Sequence, residues 1–90
     1  MIIEGTLFKG KIMLHQELIH YEEDDDATHS ARLESCLRTF CQKVGAPLPL
    51  WLGKNSREYV RFRQTIFFED QFLEKVPFDK MQIRLIDEMP

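Results

Sequence analysis

The chain has 90 residues, enough for one compact domain and too few for two. It is 43% hydrophobic and 30% charged with ten aromatic residues, which excludes disorder, and its formal charge of −3 argues against a general affinity for polyanions. Charge is unevenly distributed: residues 1–26 hold two lysines against seven acids, residues 27–64 seven basic residues against two acids, and residues 65–90 three against six.

The N-terminal Met1-Ile2-Ile3-Glu4 shows neither the basic segment nor the long apolar stretch of a signal peptide, and nowhere do eighteen apolar residues follow one another. Neither export nor membrane insertion is indicated, and a cytoplasmic location without membrane partners is the expectation. Residues 2–22 hold dispersed apolar positions without helical spacing and are interrupted by Lys9-Gly10-Lys11. Glycine supplies the positive φ of a tight turn, so this segment reads as a β-hairpin, with a bulge in one longer strand as the alternative. Glu22-Glu23-Asp24-Asp25-Asp26 reads as a solvated loop whose last members favour a helix N-terminus.

Over residues 28–44, Leu33, Cys36, Leu37, Phe40, Cys41 and Val44 recur at helical spacing, and Gly45 followed by Pro47 ends the pattern. This is the clearest element in the chain, an amphipathic helix with one face on a core. Leu48-Pro49-Leu50-Trp51-Leu52 is too apolar for an exposed linker and too proline-rich for a helix, and reads as an extended crossing of the core. Asn55 and Glu58 match the cap and third positions of a capping box opening a second helix, with Tyr59, Phe62 and Ile66 on one face. Phe68 and Phe72 would lie about 180° and 220° from Tyr59 on a straight continuation. A break near Thr65 follows, with Thr65 capping a short third helix to about Leu73. Val76-Pro77-Phe78-Asp79 is a turn, and Met81, Ile83 and Leu85 alternate with polar residues as in a half-buried strand. The fold class is therefore α+β in a single domain, residues 1–90. A hairpin, two main helices, a short third helix and a C-terminal strand give a three-stranded antiparallel or mixed sheet with helices on one face.

Catalytic, metal and cofactor sites find no support. His15, His20, His29, Cys36 and Cys41 lack the close ligand pairs of zinc sites, and the acidic run lacks the alternation and glycine of a calcium loop. Cys36 and Cys41 lie about 140° apart around a helix, unsuited to bridging each other, and read as reduced core thiols. No nucleophile elbow or phosphate-binding glycine loop is present.

Two binding classes remain. The aromatic content, Trp51 in its apolar segment and Ile66-Phe67-Phe68 exceed what one small core needs, and such a surplus marks an interface. The preferred reading is a non-enzymatic intracellular protein-interaction module that binds a protein partner or itself as a homodimer, through Trp51, Phe67, Phe68 and Phe72. The alternative is a nucleic-acid accessory protein making phosphate contacts through Arg32, Arg38, Lys54, Arg57 and Arg61. Arg57 and Arg61 fall about 160° and 200° from Tyr59, so charges and rings point apart and this reading is disfavoured.

Pro49-Leu50-Trp51-Leu52 with Lys54 and Asn55, then Glu58, Phe62, Thr65, Phe67-Phe68, Phe72, Glu74, Val76 and Phe78-Asp79-Lys80-Met81, form a pattern within residues 46–86. It resembles a family of small uncharacterised bacterial proteins sharing Pro-Leu-Trp/Phe-Leu-x-Lys, Glu-x₃-Phe, Thr-x-Phe and Phe-x-Glu-x-Val-x-Phe-Asp. The resemblance covers roughly the C-terminal half and implies no catalytic or binding residues. The acidic 22–26 run departs from the more basic hairpin of that family, which weakens a nucleic-acid role further.

Overall fold

The computed structural model describes residues 1–22 and 26–88, so most of the acidic run, Glu23 to Asp25, lies outside the described residues. Strands β1 (Ile2–Lys9) and β2 (Ile12–His20) form the expected hairpin, with Gly10 at φ 58° in its two-residue turn. Helix α1 (His29–Val44) follows, then α2 (Gly53–Phe62), β3 (Gln64–Phe68), a single 3₁₀ turn (Glu69–Gln71) and β4 (Lys80–Asp87). The sheet has four antiparallel strands in the order β2-β1-β4-β3.

Three expectations need correction. Residues 64–68 form a strand, so the sheet has four strands rather than three, and the short third helix shrinks to the one 3₁₀ turn. Thr65 is consequently a buried strand residue and caps nothing. The physical cause is local: Arg63 takes the left-handed conformation (φ 57°, ψ 26°) and ends α2, after which Thr65-Ile66 and Phe67-Phe68 suit a pleated strand better than a helix. Arg63 donates its N–H to the Tyr59 carbonyl and accepts from the Leu85 N–H, both at 2.8 Å, so one residue closes the helix and opens the β3–β4 ladder. The start of α2 also differs. Leu52 is the N-cap and Asn55 the third helical residue, where its side chain accepts from the Leu52 N–H at 2.9 Å.

Helix α1 keeps its predicted form. The Thr28 hydroxyl accepts from the Ala31 N–H at 3.1 Å, and Gly45 at φ 70° turns the chain so that the Ala46 N–H reaches the Cys41 carbonyl. Its buried stripe of Leu33, Cys36, Leu37, Phe40 and Cys41 packs over β1 and β2. Opposite it lie Ile3, Leu7, Ile19, Met81, Ile83 and Phe67, side chains of one sheet face that are all buried. Phe40 is fully buried against the bare backbone of Gly5 on central strand β1. Burying such a side chain is worth about 1.5–3 kcal/mol relative to leaving it in water.

A polar network binds the second half of the fold. Asn55 is fully buried and makes four bonds: its amide donates to Thr65 Oγ1 (2.7 Å) and the Ile66 carbonyl (3.1 Å), and its oxygen accepts from Leu52 N–H and Gln71 Nε2 (2.9 Å each). Gln71 also donates to the Leu50 carbonyl and accepts from the Phe68 N–H, while the Thr65 hydroxyl donates to Glu58 at 2.6 Å. Asn55 and Gln71 thus join the linker, α2, β3 and the 3₁₀ turn with every amide position of Asn55 filled. Asp79 does similar work at the other end, accepting from the Gly10 N–H and donating its own N–H to the Phe8 carbonyl.

Two substitutions test these supports. In Gly5→Ala the new Cβ would lie 2.6 Å from Phe40 Cγ, a clash at a site held between helix and sheet. It should cost about 1–3 kcal/mol of stability in urea unfolding, with partial recovery when Phe40→Leu is added. Asn55→Ala leaves Gln71, Thr65 and the Ile66 carbonyl short of partners and should cost about 2–3 kcal/mol in the same assay.

Candidate functional site

The helices divide the inner sheet face between them, α1 over β1 and β2 and α2 over β3. The linker of residues 46–52 crosses between their ends without regular structure. A groove of about 510 Å³ opens where the three meet. Leu33 and Leu37 line it from α1, Tyr59 and Val60 from α2, and Leu48 and Trp51 from the linker; polar groups of His29, Glu34, Arg38, Ser56 and Arg63 surround them. Trp51 is fixed rather than loose. Its indole N–H donates to Ser56 Oγ at 2.7 Å, and its ring stands 5.5 Å from Phe67 and 6.4 Å from Tyr59 in tilted and edge-on contacts. Val60 is 75% exposed on the same groove, an apolar side chain that the fold itself does not use.

One end of the groove carries a carboxylate–imidazole–phenol chain. His29 Nδ1 lies 2.8 Å from Glu88 Oε1, and Nε2 lies 2.9 Å from the Tyr59 hydroxyl. The Glu88 carboxylate accepts only, so Nδ1 donates to it, and in the neutral ring the Nε2 lone pair is left to receive the Tyr59 O–H. Burial pushes the Tyr59 phenol up to about 12; nearby Arg63 opposes this, and Glu88 and Cys36 add to it. The phenol therefore stays protonated as a donor to His29, and both ring nitrogens are occupied. The chain of bonds ties the start of α1 to α2 and to the end of β4.

The proposed interface residues separate into two groups. Phe67 and Phe72 are core side chains, 0% and 7% exposed, with Phe72 edge-on to Phe78 at 5.2 Å. Trp51 and Phe68 reach the surface at 38% and 42% exposure, yet Phe68 neighbours Phe67 in β3 and so faces the other side of the sheet. Among the basic residues, Arg38 pairs with Glu34 at 2.9 Å, Lys54 lies over the Phe68 ring at 4.6 Å, and Arg57 and Arg61 are exposed on α2. Arg32 is half-buried on α1. Phe62, expected on the core face, is 60% exposed. Both cysteines are free and buried, and burial raises both thiols, Cys41 to about 11. Among the described residues no three His, Cys, Asp or Glu side chains converge on a point that could hold a metal ion. The groove itself was not foreseen from the sequence. Its one sequence signal was Val60, a β-branched residue among the polar positions of α2. Comparison with known family models, with curated proteins and with solved structures gives no match to this chain.

The raised phenol has a consequence at alkaline pH. The folded pKa of Tyr59 lies above its ordinary value of 10.0, so its contribution to stability is complete below pH 10 and is lost as pH rises toward 12, because the unfolded chain ionises first. Cys41 acts likewise between its ordinary 9.0 and about 11. Urea unfolding across this range should show a shallower loss of stability between pH 10 and 12 for Tyr59→Phe than for the wild type.

Proposed function

We propose that this chain is a non-enzymatic protein-interaction domain, intracellular, whose groove between α1 and α2 receives an apolar segment of a partner protein. The observation that carries this reading is Val60, 75% exposed beside the anchored Trp51 in a groove that Leu33, Leu37 and Leu48 also line. Partially exposed Trp and Tyr rings held rigid by their own fold are typical energetic anchors of interfaces, and a groove between two helices suits an amphipathic helical segment. Catalysis is disfavoured because the titratable groups that converge at the groove, Glu88, His29 and Tyr59, are hydrogen-bonded to one another. A nucleic-acid role is disfavoured because Arg38 is paired with an acid, Lys54 rests on Phe68, and the chain as a whole is acidic. Among the described residues no helix is long and apolar enough to cross a membrane.

Trp51 is the single tryptophan and sits in the groove, so its emission reports occupancy directly. A panel of amphipathic helical peptides, with Leu or Phe at i, i+4 and i+7, should include members that change this emission saturably. Val60→Glu should weaken them at least about tenfold, a loss of roughly 1.4 kcal/mol, without lowering the melting temperature. If no peptide moves the emission, or if Val60→Glu binds as well as the wild type, the groove is not the binding surface.

A further inference from the structure

The two edges of the sheet are finished differently. Odd-numbered β3 residues turn their backbone groups toward β4, as the Leu85-to-Arg63 and Glu69-to-Asp79 bonds require, so Gln64, Ile66 and Phe68 face outward. That edge is partly occupied from within: Asn55 donates to the Ile66 carbonyl, and Gln71 accepts from the Phe68 N–H. On β2 the Tyr21–Met1 bonds set the phase, and the register places residues 15, 17 and 19 toward β1. Gln16 and Leu18 therefore direct their backbone groups outward, and among the described residues nothing in the chain covers them. The same edge exposes Ile12, Met13, Leu14 and Leu18 at 66%, 53%, 47% and 50%. A long strand edge with apolar side chains and no lysine within it is a template for pairing with another strand.

We infer that the β2 edge pairs antiparallel with β2 of a second copy about a two-fold axis through Gln16. The choice of a second copy rests on the self-complementarity of Leu14-His15-Gln16-Glu17-Leu18. Centring on Gln16 sets Leu14 against Leu18 of the second copy, His15 against Glu17 of the second copy, and opposes the outward backbone groups of the two Gln16 residues. Moving the axis to residue 15 puts the two His15 rings opposite each other, and moving it to residue 17 opposes two Glu17 carboxylates; both moves set a leucine against Gln16. His15 and Glu17 already meet within one chain at 2.9 Å, so the axis gathers two such pairs into an alternating set of four. The bulge at Leu14, where β1 pairs Leu7 with His15 and Phe8 with Met13, bends the strand and ends the intermolecular ladder there. Both helix layers then lie on the same side of one continuous sheet. This assembly uses a different surface from the groove and is independent of what the groove holds.

Sedimentation of the full chain should give twice the 10.7 kDa chain mass, falling to the monomer for Leu18→Lys with unchanged circular dichroism. Glu17→Lys should also give the monomer, and the double variant His15→Glu with Glu17→Lys, which restores opposite charges across the axis, should recover the dimer. Gln16→Cys should form a covalent dimer on mild oxidation, because directly opposed residues of an antiparallel pair bring their Cα atoms within disulfide reach, whereas His20→Cys, remote from the axis, should not. A wild-type chain that stays monomeric to millimolar concentration overturns the inference. So does a dimer that survives both Leu18→Lys and Glu17→Lys and leaves Gln16→Cys uncrosslinked.

Discussion

Phe40 resting on Gly5 determines where everything else in this fold can go. An aromatic ring at that position needs the backbone of the central strand to be bare, and Gly5 is the one β1 residue that lets α1 approach so closely. With α1 drawn down over β1 and β2, half of the sheet face remains to be covered, and α2 covers it above β3. Among the described residues no third α-helix lies between them. The groove beside Trp51 is the space left over, and its position follows from the ring packed beneath α1.

The two halves of the core are stabilised by different means. Around α1 the contacts are apolar and non-directional, and the two thiols there are simply small buried side chains. Around α2 the contacts include a closed set of side-chain amides and hydroxyls: Asn55, Thr65 and Gln71 are each no more than 2% exposed. Buried amides contribute little net stability while complete and cost a great deal when broken, so their chief effect is to permit only one arrangement of the linker, α2 and β3. This matters for the groove, because Leu50 and Leu52 are bonded into that set on either side of Trp51. The indole is thereby held in place from its backbone as well as by Ser56.

Elements whose pattern depends on their own residues alone were readable in the sequence. The hairpin turn at Gly10, α1 with its Gly45 stop, and the alternation of Met81, Ile83 and Leu85 follow from periodicity and turn chemistry, and the structure reproduces them. Residues 64–68 were misread because Tyr59, Phe62 and Ile66 happen to fit a helical face. The left-handed Arg63 that separates the helix from the strand has no glycine to announce it. Asn55 was misplaced for a related reason. An asparagine near a helix start usually caps it, and nothing local distinguishes that role from a buried hub whose partners, Thr65 and Gln71, lie 10 and 16 residues away. The groove was unreadable for the same reason, since it exists only where three distant segments meet.

Edge treatment brings these threads together. The buried amides that orient Trp51 also occupy two outward backbone groups of β3, the Ile66 carbonyl and the Phe68 N–H, so one network both shapes the groove and interrupts the free ladder along that side of the sheet. Among the described residues no such amide reaches the outer edge of β2, which the strand order places on the far side of β1 from Asn55 and Gln71. The open edge is thus the geometric counterpart of the partly occupied one: a chain with two helices and one polar network can cover one sheet face and interrupt one edge. Among the described residues, the groove and the β2 edge each gather exposed apolar side chains, Val60 and Trp51 at the first and Ile12, Met13, Leu14 and Leu18 at the second.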